Sequence, residues 1–330
     1  MRVLVTGGAG YVGSHVVKAL LRHGDEVVVF DNLSQGRREL VLADVFVHGD
    51  LLDPAAVRAV FAAHRFDAVL HCAAETSPTR SLADPAACYR QNVVASRNLL
   101  SEAIARGVRD FVFSSSASVY GDPLRLPIRE DDPKNPKTPY GRSKWLFEQF
   151  LEQAAASGVR SVSLRYFNVA GADPELEIGE WHDPETHLIA LALEVALGRR
   201  ERFELFGVDY DTRDGTCVRD FVHVSDLAEA HITTLDRLRR GLPGGPYNLG
   251  SGVGHSVREV VDACRRITGR PIPTVESPRR RGDPATLVAD ASRAKADLAW
   301  DPRRSDLDSM IGTAWAWFSK RERLIRRASA

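Results

Sequence analysis

The chain has 330 residues, 44 of them Lys or Arg and 44 Asp or Glu, so its formal charge at neutral pH is zero. That balance argues against a nucleic-acid or anionic-membrane partner, and the length predicts about two domains with a substantial core. Cys72, Cys88, Cys217 and Cys264 are scattered, with neither paired nor zinc-ligand spacing, and no apolar run reaches membrane-spanning length, so a cytoplasmic protein with reduced thiols and no metal is expected.

Arg2-Val3-Leu4-Val5 reads as a strand running into Thr6-Gly7-Gly8-Ala9-Gly10-Tyr11-Val12-Gly13, and the helical spacing of Val16, Val17, Leu20 and Leu21 closes at Gly24. Glycines at 7, 10 and 13 permit a tight turn, a close approach to a pyrophosphate and close helix packing, with the helix N-terminus facing the negative charge. A second strand, Glu26-Val27-Val28-Val29-Phe30, ends in Asp31, where a carboxylate would hold the adenosine ribose and repel the extra phosphate of NADP. NAD is therefore the expected cofactor, and Arg37 and Arg38 read as solvated loop charges. Asp53-Pro54 opens a helix, Asp67-Ala68-Val69-Leu70-His71 is a strand, and Asp84-Pro85 opens a long helix. Further strands are expected over 108–114 and 159–166, on either side of a helix that carries Tyr140.

This alternation predicts a doubly wound parallel α/β sheet of Rossmann type over 1–168, with a smaller mixed α/β substrate domain over 169–330 and a return to the first domain near 215–250. Beyond Asn168 the pattern loosens through 171–186, and a helix is expected from about 184 to 197. Ser256-Val257-Arg258-Glu259 is a capping box, Thr286-Leu287-Val288-Ala289 reads as a strand, and a final helix from about 305 ends in a basic tail, Lys320-Arg321-Glu322-Arg323 to Arg326-Arg327, read as solvated.

Tyr140-Gly141-Arg142-Ser143-Lys144 puts a phenol and an ammonium one turn apart on a helix. An ordinary Tyr titrates near ~10, and bringing it to ~7 needs about 4 kcal/mol. A positive charge about 5 Å away at an effective dielectric near 20 supplies on the order of 3 kcal/mol, and an oxidised nicotinamide would add a second charge. Ahead of it, Ser114-Ser115-Ser116-Ala117-Ser118-Val119-Tyr120-Gly121 brings hydroxyls to the carboxyl edge of the sheet, where ligands bind.

With these motifs in order, and with Asp31-Asn32-Leu33-Ser34, Arg165-Tyr166-Phe167-Asn168, Val218-Arg219-Asp220-Phe221-Val222-His223-Val224, Tyr247-Asn248-Leu249-Gly250 and Arg279-Arg280-Arg281-Gly282-Asp283, the chain resembles the extended short-chain dehydrogenase/reductase family. Within it the likeness is to the UDP-glucose 4-epimerases and covers nearly the whole chain. The resemblance implies Tyr140 as base, Lys144 holding the nicotinamide ribose and lowering the Tyr140 pKa, and Ser116 bonding the sugar 4-hydroxyl. It implies a cofactor held by Gly7, Gly10, Tyr11, Val12 and Gly13, by Asp31 and Asn32 at the ribose, and by Asp50 and Leu51 at the adenine. Cys72, Ala73, Ala74, Thr76 and Ser114 would line its middle, and Asn92, Tyr166 and Phe167 its nicotinamide side. Asn168, His187, Leu188, Phe206, Arg219, Arg280, Asp283 and Leu287 would hold a UDP-sugar, the two arginines as forked donors to the diphosphate. The implied reaction oxidises and re-reduces one sugar carbon, with the cofactor ending as it began.

Departures from close relatives bear on the substrate. Residues 75–81, Glu75-Thr76-Ser77-Pro78-Thr79-Arg80-Ser81, replace a usual Val-Gly-Glu-Ser ending, and Arg80 is a candidate substitute for a missing Lys charge. His187 stands where many relatives have Asn, Ala190 replaces a common Pro, and Leu287 says nothing about N-acetylated sugars. Related dehydratases need an acid/base pair where this chain has Ala117 and Ser118, and uronate epimerases tend to have Thr in place of Asn168. A 4-epimerase for UDP-N-acetylglucosamine or UDP-xylose, or a non-catalytic NAD-binding scaffold, stays open as an alternative. The family resemblance also implies a homodimer through helices near 84–105 and 140–157, with Trp145, Phe147, Phe150 and Leu151 supplying apolar surface.

Overall fold

The computed structural model describes residues 1–280 and 282–328, with side chains through Arg323. Arg281 and the side chains of Arg326 and Arg327 lie outside the described residues. Seven strands form one parallel sheet: β1 (Arg2–Thr6), β2 (Glu26–Asp31), β3 (Val45–His48), β4 (Ala68–His71), β5 (Asp110–Ser116), β6 (Arg160–Tyr166) and β10 (Gly245–Leu249). Their spatial order, β10-β6-β5-β4-β1-β2-β3, reverses direction of growth at β1, the switch point of a doubly wound Rossmann sheet.

Side chains alternate across the sheet and feed two cores. Val3, Val5, Val27 and Val29 face α1 (Tyr11–His23) and α8 (Val224–Arg239), whereas Leu4, Val28, Val69 and Phe111 face α2 (Pro54–Ala63), α5 (Ala95–Ala105) and α6 (Pro139–Ala154). Both faces being covered, strands such as Val3-Leu4-Val5 are apolar at every position. A third core surrounds α7 (Leu188–Ala196), α9 (Val257–Thr268) and α11 (Leu307–Ala328). It packs beside a small sheet of β7 (Asn168–Ala170), β9 (Val218–His223), β11 (Gly254–Ser256) and β13 (Thr286–Leu287), and a pair made of β8 (Phe203–Phe206) and β12 (Thr274–Ser277). The capping box at Ser256 and Glu259 is formed on α9.

Several sequence expectations are corrected by local chemistry. The long helix opened by Asp84 is preceded by α3 (Pro78–Ala83), capped by Ser77, and is itself split into α4 (Pro85–Tyr89) and α5 by a π turn over Arg90–Val94. The helix expected from 184 starts only at Leu188, because the Glu185 carboxylate accepts the N–H groups of Thr186 and His187 and holds that turn out of helical geometry. The strand at 286–289 ladders with β9 for only two residues; the Val288 carbonyl and Asp290 N–H then bond Ile128 instead. A further short helix, α10 (Ser292–Leu298), follows. The last helix starts after Ser305, whose hydroxyl bonds the Asp226 carboxylate and accepts from the His223 N–H. The basic tail is not all solvated: Arg321 is 3 % exposed, its guanidinium over the rings of Phe318 and Trp181, and Lys320 donates to the Leu176 carbonyl. Phe147 and Leu151 are fully buried in the sheet core, so of the four residues expected to supply apolar surface Trp145 and Phe150 keep it, alongside Leu146.

Behind the carboxyl ends of β5 and β6 sits a dry polar network. Arg165 makes a forked pair with Glu148, Nε to Oε1 at 3.0 Å and Nη2 to Oε2 at 2.6 Å, and donates through Nη1 to the Tyr120 hydroxyl at 2.8 Å. Tyr120 donates to the fully buried Asn248 at Oδ1, 2.6 Å away, and Ser115 donates to Glu148. Removing one partner of such a pair leaves a buried charge unpaired. Glu148→Ala is expected to lower the unfolding free energy by about 3–5 kcal/mol. Arg303→Ala, which breaks the exposed pair with Asp301, should cost less than about 1 kcal/mol. Urea unfolding midpoints compare the two; equal small losses would remove the network as a structural constraint.

Candidate active site

A cleft of about 730 Å³ runs along the carboxyl edge of the parallel sheet and into the third core. At one end lies the glycine turn. Gly7 has φ +73°, and a Cβ there would meet the Ala73 nitrogen at 2.5 Å; a Cβ on Gly13 would meet the Gly7 carbonyl oxygen at 2.0 Å. Only glycine fits both positions. The helix that follows starts at Gly10 with no side-chain cap, which leaves its first N–H groups for an anion in the cleft.

Asp31 ends β2 as expected, accepting the N–H of Ala9 at 3.0 Å and of Leu33 at 2.8 Å, and burial raises its pKa against the pull of those bonds. Asn32 donates to Asp50 at 3.0 Å, fixing that carboxylate beside Leu51. Gly7, Gly10, Tyr11, Val12, Gly13, Asp31, Asn32, Asp50, Leu51, Cys72, Ala73, Ala74, Thr76, Ser114, Tyr166 and Phe167 all line the cleft. Asn92 does not. It is buried, its amide bonds both the N–H and the carbonyl of Glu75 and donates to Ser143, so it positions the 75–81 loop from behind. The reason is the π turn that carries it, a break in periodicity that the sequence pattern did not reveal. Arg80 also stays off the cleft wall, turned toward Glu75 at 3.3 Å and Gln35 at 3.1 Å.

Ser116, Tyr140 and Lys144 meet at the middle of the cleft. Thr138 caps α6 by accepting the Gly141 N–H, which sets the first turn and with it Tyr140. Lys144 is 3 % exposed and donates to the Ser114 carbonyl at 2.7 Å, its ammonium 5.9 Å from the Tyr140 ring centre and 4.8 Å from that of Phe113. Burial pushes the Tyr140 phenol up to about 12, with the Ser116 hydrogen bond opposing it, and pushes Lys144 down to about 8. Desolvation thus dominates the phenol of the cofactor-free chain, and the charge of an oxidised nicotinamide, the second contribution expected from the sequence, is what a bound cofactor would add.

Toward the third core the cleft is lined by Asn168, His187, Leu188, Phe206, Arg219, Arg280, Asp283 and Leu287. Arg219 is held by the carbonyl of Val218 at 2.9 Å and lies 3.8 Å from Asp283, and Arg280 stacks 3.9 Å over Phe206. Two fixed guanidinium groups facing one cleft suit a diphosphate. Glu180 and His182 line the same end without having been singled out in the sequence; the signal was there, in two histidines five residues apart interleaved with glutamates.

Residues 3–250 match the NAD dependent epimerase/dehydratase family. The chain is 48 % identical over 320 residues to a UDP-glucose 4-epimerase of Rhizobium meliloti, covering 97 % of each. It also matches the crystal structure of the Brucella ovis UDP-glucose 4-epimerase in complex with NAD, at 45 % identity and a TM-score of 0.93, over 96 % of this chain and 98 % of that one. A Stenotrophomonas maltophila UDP-glucose-4-epimerase with bound NAD and formylated UDP-arabinopyranose aligns at 40 % identity and a TM-score of 0.94, over 98 % of this chain and 99 % of that one.

The depressed Lys144 pKa has a stability consequence. Between about 8 and the ordinary 10.5 the unfolded chain binds a proton that the folded chain does not, so stability rises with pH across that window and the burial penalty is fully present below it. Lys144→Met should therefore stabilise the cofactor-free protein at neutral pH by on the order of 1–3 kcal/mol. Denaturant midpoints of the two proteins should converge as pH climbs through the window; a less stable variant at neutral pH would show that the lysine is not strained.

Proposed function

The chain belongs to the NAD dependent epimerase/dehydratase family, and from that premise we propose that it interconverts UDP-glucose and UDP-galactose by epimerisation at C4. The observation that carries this reading is the meeting of Ser116, Tyr140 and Lys144 in one cleft, between a glycine cradle and two fixed arginines. The cradle fits NAD: the uncapped helix, the glycines that only a bare backbone could replace, and a carboxylate at the end of β2 that disfavours a 2′-phosphate. Bound there, NAD supplies the acceptor and then the donor of the hydride at C4.

The remaining work belongs to side chains. Tyr140 takes the proton of the 4-hydroxyl and returns it, with Ser116 bridging between phenol and sugar. Tyr140 acts as a base only when positive charge offsets its burial, and Lys144, one turn along the helix, supplies one such charge. Arg219 and Arg280 anchor the UDP diphosphate while the sugar is held loosely beside Asn168 and Leu287, which lets a 4-keto ring present either face. Elimination of water lacks its catalyst, because Ala117 and Ser118 offer no carboxyl pair beside Ser116. Residues 1–168 with the returning α8 and β10 form the cofactor half of the enzyme, and the remainder mainly the nucleotide-sugar half.

The four cysteines are free thiols, as a cytoplasmic enzyme would keep them, and no helix among the described residues is long and apolar enough to cross a membrane. A homodimer through α6 and the π turn that leads into α5 is supported by the apolar surface left there: Val94 is 47 % exposed, and Trp145, Leu146 and Phe150 are half-buried.

Purified protein without added NAD should interconvert UDP-galactose and UDP-glucose, with UDP-N-acetylgalactosamine and UDP-xylose as parallel substrates resolved by chromatography. Tyr140→Phe should retain NAD and lose about 10²–10⁴ of the rate. No turnover of any of these sugars by protein shown to carry NAD would sink the proposal. Light scattering at micromolar concentration should give twice the chain mass; a monomer there would remove the dimer.

A further inference from the structure

The cleft wall between β7 and α7 is a segment, 171–187, with no helix or strand of its own, and such long irregular stretches in a compact domain need something to fix them. Two features hold its first part: Lys18 of α1 is ringed by Asp173, Glu175 and Glu177 at 2.5, 2.9 and 2.6 Å. Trp317 and Arg321 of α11 donate to the Glu180 carbonyl at 2.9 and 3.0 Å. Its last part is built differently. Glu180, His182, Glu185 and His187 converge so that one donor atom of each lies within 4.8 Å of all the others.

The geometry of that convergence is specific. Nδ1 of His182 and Nδ1 of His187 both point at the same oxygen, Glu180 Oε1, the first at 3.2 Å and the second in closer contact. The same two nitrogens lie 3.7 and 3.9 Å from Glu185 Oε1. Four ligands at 2.0–2.1 Å around a tetrahedral zinc are separated by about 3.3–3.4 Å, so three of these four spacings are within about half an ångström of that edge, and His187 and Glu180, in closer contact, would have to part to admit the ion. The two imidazole rings stand nearly perpendicular, at 84°, as ligands on adjacent vertices can.

A second, independent observation concerns Glu185. Its side chain is 1 % exposed, and while Oε1 lies in the cluster and accepts two backbone N–H groups, Oε2 is buried with no hydrogen-bond partner. A carboxylate with an unsatisfied buried oxygen is costly unless a cation is close by. The two rings crowd one oxygen of Glu180, and Glu185 Oε2 is left without a partner, so the pairing of imidazoles with carboxylates leaves the cluster unevenly satisfied. Two imidazoles with two carboxylates instead form a borderline donor set that favours zinc-class ions over calcium or magnesium.

We propose that Glu180, His182, Glu185 and His187 form a closed, four-ligand site for a divalent transition metal of the zinc class. The metal ties the 171–187 segment into one wall of the cleft and fixes His187 at the N-terminus of α7, beside the cleft-lining Leu188 and Ile189. With four protein ligands the site is structural and takes no part in the chemistry at Tyr140. The acidic trio around Lys18 is no second site, because the ammonium already occupies it.

The test uses the untagged full chain, stripped with a chelator, dialysed, and titrated with zinc chloride and separately with cobalt(II) chloride. Expected are one equivalent of zinc retained per chain by elemental analysis, the visible absorption of tetrahedral cobalt, and a rise in thermal midpoint on zinc addition. His182→Gln should abolish all three and Glu177→Gln should keep them; if His182→Gln does not fold, His187→Gln at the half-exposed ligand gives the same comparison. Failure of the parent chain to take up stoichiometric metal, or full uptake by the histidine variants, overturns the proposal. The readouts are independent of any turnover, so they stand or fall apart from the epimerase reading.

Discussion

Arg165 and Glu148 are both almost entirely removed from water, and neither charge would be tolerable there without the other. Their pairing decides where α6 lies against the sheet. Glu148 follows Tyr140 and Lys144 at intervals of four, so the helical face that delivers phenol and ammonium to the cleft also delivers the carboxylate that Arg165 of β6 and Ser115 of β5 hold from below. Tyr120 and Asn248 extend the network to the neighbouring loop and to β10. Ser116 is thus fixed relative to Tyr140 by a lattice of bonds that touches neither. Motifs that look catalytic in the sequence, such as those around Tyr120, Arg165 and Asn248, owe their presence in large part to this support.

Above that lattice the site is deliberately uncomfortable. A lysine lowered to about 8 is a charge that solvent would treat better, whereas a tyrosine pushed up to about 12 is simply neutral at neutral pH and withheld from acting as a base. A second strained patch, the Glu180–His182–Glu185–His187 cluster, borders the same cleft. In each case polar groups are buried where a ligand, rather than the protein, completes their coordination.

Asp220 shows how the smaller sheet is joined to this arrangement. Its fully buried carboxylate accepts from the Ser251, Gly252 and Ala289 backbones and the Ser251 hydroxyl, gathering three chain segments beside Arg219. Burial raises its pKa while those four bonds pull the other way. Arg219, at the preceding position, is thereby aimed into the cleft by a residue that never enters it.

The sequence by itself determined what depends on neighbours along the chain: strand and helix periods, the glycine turn, the caps at Asp53, Asp84 and Ser256, and the Tyr140–Lys144 spacing. These are short-range geometries, fixed by one or two turns of backbone, and they sufficed for the sheet class, while most of the cleft lining was expected only through the family resemblance of the motifs. Only the tertiary structure decided what depends on burial and on partners far away in sequence. Asn92 left the cleft because a π turn aims it at Glu75, and Arg321 left the surface because Trp181 and Glu180 received it. The Tyr140 phenol lies above its ordinary value because of desolvation, which no spacing encodes.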